Sequence, residues 1–103
     1  CLDVYPLEAW EKLKNSFAQK MMPKQKMRDV SRFIFGGACE VEPDKQGRIL
    51  LPANLRTYAQ IRERALIVGV GSKAEIWDAQ RYADYTKAVE SDVAELIEEL
   101  DFE

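Results

Sequence analysis

The side chains best suited to chemistry in this 103-residue chain lie close together, between Pro43 and Arg48. Lys45 carries an ammonium group, Gln46 an amide and Arg48 a planar guanidinium with five N–H donors. Such groups bind phosphate oxygens, and an arginine or an amide side chain also matches the edges of DNA bases. These side chains offer hydrogen-bond donors that suit phosphate oxygens or base edges, and an ordinary solvated surface is the alternative interpretation.

The composition argues against an enzyme, because the sequence contains no histidine. The Ser-His-Asp and Cys-His arrangements are therefore excluded, and no pair of carboxylates with apolar neighbours stands out as an acid–base pair. Cys1 and Cys39 lack the spacing of a zinc site, and we interpret them as reduced thiols. Gly69 and Gly71 lack the third glycine of a nucleotide-binding loop. We expect no catalytic residues, no metal, no cofactor and no small-molecule substrate.

Charge is distributed unevenly along the chain, although the net charge is only −3. Residues 20–64 contain ten basic and five acidic side chains, whereas residues 65–103 contain three basic and ten acidic ones. A basic segment suits the DNA backbone, because binding to phosphates releases condensed counterions. From charge alone, ordinary solvated surfaces remain the alternative interpretation.

Hydrophobic residues make up 47% of the chain, which is enough for a folded domain. No apolar run reaches the roughly 20 residues that span a bilayer, and the start does not resemble a signal peptide. We therefore expect a cytoplasmic protein with no membrane partner. Because the chain begins without methionine inside the apolar stretch 1–5, we also expect a fragment of a longer protein.

The first part of the chain is predicted to hold a strand end and two helices. Residues 1–5 resemble the end of a strand, and Pro6 suits the first position of a helix. A second helix is predicted from Pro23 until Gly36 and Gly37 stop it. Apolar residues at helical spacing give each helix one apolar face: Leu7, Trp10, Leu13, Phe17 and Met21, then Met27, Val30, Phe33 and Ile34.

The segment that carries Lys45 and Arg48 is predicted to be a hairpin. Alternating residues 39–42 and the apolar stretch 48–51 predict two strands, and residues 43–47 are dense in turn formers. A short helix over 53–58 is predicted to follow.

The last third of the chain is predicted to form two strands and a long helix. The continuous apolar run 65–70 predicts a strand buried on both faces. Residues 71–72 predict a turn, and residues 74–77 a returning strand. Asp78 suits the N-cap of a final helix whose outer face is acidic.

Two stretches of the sequence match at an offset of 72 positions. Val4-Tyr5-Pro6 aligns with Ile76-Trp77-Asp78, Trp10 with Tyr82, and Leu13 with Tyr85. The match predicts two tandem repeats joined by a linker. The chain then divides into the remnant of a first repeat over 1–22, a linker helix over 23–37 and a complete second repeat over 38–103.

The stretch 38–56 resembles the second repeat of the MraZ family, which belongs to the AbrB/SpoVT superfamily of swapped-hairpin DNA binders. The resemblance rests on Asp44-x-x-x-Arg48 with Gly47, followed by Leu51-Pro52-x-x-Leu55-Arg56. It extends over essentially the whole chain in order, although a first DxxxR unit is missing. Two flanking motifs agree with it: Tyr5-Pro6-Leu7-x-x-Trp10 and Glu75-Ile76-Trp77.

The resemblance implies an α+β fold with a swapped-hairpin β-barrel, flanking helices and tandem repeats. It also implies a transcription regulator of the bacterial division and cell-wall gene cluster. Such a regulator would bind direct repeats of double-stranded DNA in its promoter, as a ring-shaped homo-oligomer associated with the nucleoid.

The same resemblance predicts roles for individual residues. Lys45, Gln46 and Arg48 are expected to contact DNA. Asp44 and Gly47 are expected to form the turn. Arg56 of the short helix is expected to make a further DNA contact. Pairing of Arg56 with Asp44 or Glu42 is an equal alternative.

Three other functions remain open at this point. An AbrB-like antitoxin would share the fold, a protein-interaction module would use the acidic C-terminal helix, and a small hydrolase would need residues that the sequence lacks.

Overall fold

The computed structural model describes residues 1–20 and 24–100, and these form four helices and one three-stranded sheet. The predicted α+β class is confirmed. The elements follow one another as β1 (Leu2–Val4), α1 (Leu7–Ala18), α2 (Lys24–Gly36), α3 (Ala53–Ala59), β2 (Ala65–Gly69), β3 (Ala74–Asp78) and α4 (Ala79–Leu100). The predicted helical positions of Met21 and Pro23 lie outside the described residues.

Strand β3 is the centre of the antiparallel sheet, with β1 on one side and β2 on the other. β2 and β3 form a hairpin in which the Val70 N–H donates to the Lys73 carbonyl at 3.0 Å. Gly71 takes a φ of 106°, which a two-residue hairpin loop requires and which glycine adopts without strain. The predicted turn at Gly71–Ser72 is therefore confirmed.

Strand β1 comes from the far end of the chain and pairs with β3, with Leu2 opposite Ile76. Just beyond the paired residues, Lys73 Nζ lies 3.1 Å from Asp3 Oδ1 and 5.7 Å from the centre of the Tyr5 ring. Hydrogen bonding to Asp3 raises the pKa of Lys73, and its charge also favours the protonated form. This ion pair therefore reinforces the junction between the first and last strands.

Aromatic side chains pack α1 against α2. The Trp10 ring lies 5.3 Å from Phe35 and the Phe17 ring 5.6 Å from it, both edge to face, while Tyr5 lies 5.9 Å from Trp10. Such edge-to-face contacts contribute about 0.5–1.5 kcal/mol each beyond the area they bury. The aromatic face predicted for the first helix thus acts as packing surface.

A second aromatic cluster attaches α4 to the sheet. Trp77 of β3 lies 5.3 Å from Tyr82 and 5.2 Å from Tyr85. At the start of α4, the carboxylate of Asp78 accepts the Arg81 N–H at 3.2 Å, which is the geometry of an N-cap. The predicted cap is therefore confirmed.

Very little of this chain is buried within a single copy. Among the described apolar residues only Ala59 and Ile76 are buried, and Ile76 is 3% exposed. A chain that is 47% hydrophobic would ordinarily enclose several large side chains. Most of its apolar surface thus faces outward, and no described helix is long and apolar enough to cross a membrane.

The structure corrects several sequence predictions. Residues 39–42 and 48–51 form no strands, because a strand needs a hydrogen-bonded neighbour and no backbone hydrogen bond joins these two segments. The run 65–70 is not buried on both faces, since β2 lies at a sheet edge with Leu66 and Ile67 exposed. Pro6 is the N-cap residue rather than the first helical one.

Candidate nucleic-acid interface

The backbone between Asp44 and Arg48 forms a tight hairpin turn. The Asp44 N–H donates to the Arg48 carbonyl at 2.8 Å, and the Gly47 N–H donates to the Asp44 carbonyl at 3.0 Å. Gly47 has a φ of 79°. A three-residue loop that ends in a left-handed glycine has the arrangement of a hairpin closed by a G1 bulge. Lys45 and Gln46 therefore occupy its tip.

The Asp44 carboxylate holds this turn together. Its Oδ1 atom accepts the N–H groups of Gln46 and Arg48, each at 2.9 Å. In the bulge the Asp44 carbonyl accepts the Gly47 N–H and not the Arg48 N–H. The Arg48 N–H therefore needs the Asp44 carboxylate as its acceptor. The hydrogen bond from the Arg48 backbone holds the pKa of Asp44 below its usual value, although desolvation opposes this. The carboxylate is consequently ionised at neutral pH.

The Arg48 guanidinium is fixed on the surface of the turn. Its Nε donates to Asp44 Oδ2 at 3.0 Å and its Nη2 donates to Gln46 Oε1 at 2.7 Å. The side chain nevertheless remains 73% exposed. Because two neighbours already restrict its rotamers, Arg48 would lose less conformational entropy on binding than a free surface arginine.

Hydrogen-bond donors dominate the exposed tip of the turn. Lys45 is exposed and forms no ion pair within the described part of the chain. The carbonyl oxygen of Gln46 is occupied by Arg48, which leaves the amide NH₂ group as a donor. Lys45, Gln46 and Arg48 thus present donors to the outside, which fits phosphate oxygens or base acceptors.

Arg56 lies on α3, outside the turn. It borders an open depression of about 390 Å³ together with Thr57, Gln60 and Arg62. Across residues 1–20 and 24–100, no ion pair joins Arg56 to Asp44 or Glu42. Its pairing with either residue is therefore not formed among the described residues, and its DNA contact stays a prediction.

Sequence reasoning missed how the side chains of the turn bond to one another. It assigned Asp44 to the turn but did not predict the bonds that the Arg48 guanidinium donates to Asp44 and Gln46. An aspartate that precedes a glycine by three residues favours Asx-type bonds with the backbone, which is a signal for the two backbone bonds to Asp44. Nothing in the spacing indicated the bonds of the guanidinium.

Three potential metal ligands lie together at the edge of the sheet. The ligand atoms of Cys1, Asp3 and Glu75 are all within 4.8 Å of one another. Two of these groups are already engaged, because Asp3 pairs with Lys73 and Glu75 accepts the Trp77 indole N–H at 3.1 Å. We therefore assign no ion to this cluster.

Comparison with known proteins agrees with the motif that the turn contains. The family model described as "MraZ protein, putative antitoxin-like" matches residues 34–101, which include the turn. The transcriptional regulator MraZ of Desulfitobacterium hafniense (strain Y51) is 47% identical over 100 residues, which cover 97% of this chain and 70% of that protein. This chain belongs to the MraZ family. The predicted resemblance is confirmed.

Other MraZ proteins match over the same extent. The transcriptional regulator MraZ of Natranaerobius thermophilus is 40% identical and that of Thermobifida fusca 39% identical, each over 97% of this chain and 70% of its own length. These MraZ relatives are named as regulators of transcription.

Proposed function

We propose that this MraZ chain is a sequence-specific DNA-binding transcription regulator, and not an enzyme. The observation that carries the proposal is the exposed turn over 44–48, where Asp44 orders a loop whose outward groups are donors. A two-stranded ribbon fits the major groove, where an arginine fork reads guanine and the amide N–H of a glutamine donates to a base acceptor. Arg48 and Gln46 would make base contacts, and Lys45 a phosphate contact. Arg56 would add a contact from α3.

The DNA partner follows from membership of the MraZ family. We propose that the chain binds direct repeats in the promoter of the bacterial division and cell-wall gene cluster, in the cytoplasm and on the nucleoid. A single turn offers only a few contacts, so several copies must engage repeated elements at once to give useful affinity. In this proposal residues 38–103 form one complete repeat, 23–37 a linker helix and 1–22 part of another repeat.

The scarcity of buried apolar side chains supports a homo-oligomer. The arms of the turn, residues 39–43 and 49–52, have no strand partners among the described residues, and Leu50 of the second arm is exposed. A swapped hairpin would pair these arms with those of a second copy and close a barrel, which would satisfy their backbone groups. We therefore propose a swapped-hairpin assembly that extends into a ring.

Fluorescence anisotropy tests the DNA proposal directly. The chain is titrated into labelled DNA from upstream of the division and cell-wall cluster of its own genome, and into a shuffled duplex of the same composition. We expect tighter binding to the promoter DNA, with an affinity that decreases steeply with salt, because bound lysines and arginines displace counterions. Equal affinity for the two duplexes, or an affinity independent of salt, would contradict the proposal.

Gly47 provides a conformational test of the turn. Gly47→Ala is expected to weaken promoter binding roughly 5–30-fold, because an L-residue at positive φ costs about 1–2 kcal/mol. No atom lies within 4 Å of an added Cβ, so the effect would come from backbone strain and not from a clash. Gly47→Asn is the matched control and should lose less affinity, because asparagine tolerates this conformation. Equal losses in the two variants would contradict this role.

An antitoxin-like DNA binder is the second candidate. The description of the matching family model favours it, since it includes the term antitoxin-like. Co-expression with the neighbouring gene of its genome distinguishes the two candidates. Relief of growth inhibition by this chain would favour the antitoxin, whereas promoter binding without such relief would favour the regulator.

A further inference from the structure

The open depression of about 390 Å³ at the end of α3 adjoins a smaller one of about 230 Å³, because Gln60 and Arg62 line both. Among the described residues, the lining of the larger depression contains two arginines and no acidic side chain. Its only apolar side chains are Ala53 and Ile61, which form too small a wall for an apolar ligand. The lining therefore favours a negatively charged group.

Gln60 ends α3 in a backbone conformation that ordinarily favours glycine. Its φ of 56° and ψ of 37° are left-handed, and it is the one non-glycine residue with positive φ across residues 1–20 and 24–100. The Gln60 N–H donates to the Thr57 carbonyl at 3.1 Å, and the Ile61 N–H donates to the Arg56 carbonyl at 3.0 Å. Glycine forms this Schellman cap without strain. A strained residue in its place indicates a function for the side chain.

The side chain of Gln60 joins the end of α3 to the start of α4. Its Oε1 atom accepts a hydrogen bond from Arg81 Nη1. A guanidinium group has no acceptor, so Gln60 must offer its oxygen to Arg81, which leaves the Gln60 NH₂ group as a donor. Arg81 also lines the smaller depression. The bond to Arg81 therefore orients the amide donor of Gln60.

Donors of the chain itself occupy the hydrogen-bond acceptors in the last turn of α3. The carbonyls of Arg56 and Thr57 accept the two cap bonds. The Ala53 carbonyl accepts the Thr57 hydroxyl at 3.0 Å. These bonds cover the partial negative charge that the end of a helix otherwise presents. An anion can therefore approach this end of α3.

Positive charge exceeds negative charge around the two depressions. The cations are Arg56, Arg62 and Arg81, and none of them forms an ion pair within the described part of the chain. The anions, Asp78 and Asp84, line only the smaller depression. The Asp78 carboxylate already accepts two backbone N–H groups. Charged donors around an open surface are the groups that bind phosphate oxygens.

We propose that the larger depression is a phosphate-binding site. The guanidinium groups of Arg56 and Arg62 donate to the phosphate oxygens, and the Gln60 NH₂ group adds a neutral donor. Arg81 is a positioning residue that holds Gln60. The phosphate belongs either to the DNA backbone or to a free phosphorylated compound, since both present the same oxygens. The inference extends the contact proposed for Arg56, and it rests on the proposed DNA binding only where the phosphate is that of DNA.

Phosphorus NMR of inorganic phosphate tests the site in the full chain at constant ionic strength. All chains carry Arg48→Ala, which removes the guanidinium of the turn as a competing site. Bound phosphate relaxes faster, so the ³¹P line should broaden. Arg56→Gln with Arg62→Gln should weaken phosphate binding by about tenfold or more, because two charge-assisted bonds are lost. Lys12→Gln with Arg64→Gln is the matched control and should bind like the parent. Equal binding by the two double variants would overturn the proposal.

Gln60→Gly separates phosphate binding from the stability of the fold. The substitution removes the amide donor and the backbone strain together. Phosphate affinity should therefore fall about threefold or more, while the melting temperature stays at or above that of the parent chain. The ³¹P titration and thermal unfolding followed by circular dichroism measure the two effects. A purely structural role for Gln60 gives the reverse, a lower melting temperature with unchanged phosphate affinity, and that result would overturn the proposal.

The salt dependence of DNA binding identifies the source of the phosphate. If the DNA backbone supplies it, Arg56→Gln with Arg62→Gln, in the chain that retains Arg48, should reduce the slope of log affinity against log salt by about 1 for each bound chain. It should also weaken promoter and shuffled duplexes equally, because backbone contacts carry no sequence information. If a free compound supplies the phosphate, only the ³¹P effect is lost. Loss of promoter preference alone would show that these arginines read bases, and would overturn the phosphate site.

The same measurements separate this site from the DNA proposal. If the double variant loses phosphate binding and the parent chain does not bind promoter DNA, the DNA proposal fails and the phosphate site stands. If the parent chain binds promoter DNA and the double variant changes neither this binding nor that of inorganic phosphate, the DNA proposal stands and the phosphate site is overturned.

Discussion

Arg48→Ala is expected to abolish specific binding to promoter DNA while the chain remains folded. The guanidinium is the one group of the turn that can form two parallel hydrogen bonds with guanine, and such a contact contributes about 1–3 kcal/mol of discrimination. Asp44 and Gln46 hold it in place, so its loss also removes a preorganised donor. Because several copies engage together, the loss is multiplied across the assembly. Anisotropy with promoter and shuffled duplexes measures it.

Two variants separate the geometry of Arg48 from its charge. Arg48→Lys keeps the charge and loses the planar fork, so we expect salt-dependent binding to persist without preference for the promoter. Arg64→Ala removes the same charge from an exposed position outside the turn and should change affinity little. Promoter affinity that is unchanged in Arg48→Ala would show that the turn is not the reading element.

Asp78→Ala is expected to lower the melting temperature by about 5–10 °C, which is a large loss for a chain of this size. Asp78 is 7% exposed, and its carboxylate accepts the Arg62 N–H at 2.9 Å as well as the Arg81 N–H at 3.2 Å. Its removal leaves two backbone donors without their acceptor and takes the cap from α4. Thermal unfolding monitored by circular dichroism measures the effect.

Asp84→Ala is the matched control, because Asp84 is exposed on the same helix and, among the described residues, accepts only the side-chain amide of Gln80. It should leave the melting temperature nearly unchanged. An equal loss in both variants would show that Asp78 does not act through its two backbone bonds.

The pH dependence of stability gives a second measure of Asp78. The Arg62 N–H holds the pKa of Asp78 below its ordinary value of 3.8, with desolvation opposing. Because the folded pKa is the lower one, the stabilisation is present above pH 3.8 and is lost as the pH falls through the folded value. Asp78→Asn should therefore reduce the decline in melting temperature below about pH 4. An identical decline in this variant would contradict the assignment.

Periodicity and capping predicted the parts of this fold that depend on local sequence. The N-cap at Asp78, the turn at Gly71 and the aromatic face that includes Trp10 and Phe17 all appear in the structure. Each depends on residues a few positions apart, for which backbone geometry and side-chain type are sufficient information.

The predictions that failed depend on distant partners. Alternation over 39–42 and the apolar stretch 48–51 indicated strands, but no neighbouring strand lies beside either segment in one copy. The apolar run 65–70 indicated burial on both faces, but β2 lies at the edge of the sheet. An apolar pattern in the sequence indicates that one surface of a segment is to be buried. It does not indicate which segment or which copy of the chain buries it. The bonds that fix Arg48 failed for a different reason, since rotamers are not determined by spacing.

The pairing of β1 with β3 has a consequence for synthesis of the chain on the ribosome. Leu2–Val4 is translated long before Ala74–Asp78, its neighbour in the sheet. At 5–20 residues per second the first strand waits roughly 4–15 seconds before its partner exists. Helices α1 and α2 can meet through their aromatic rings during that interval, whereas the sheet closes only near the end of translation. Its closure is therefore a late folding step for a nascent polypeptide.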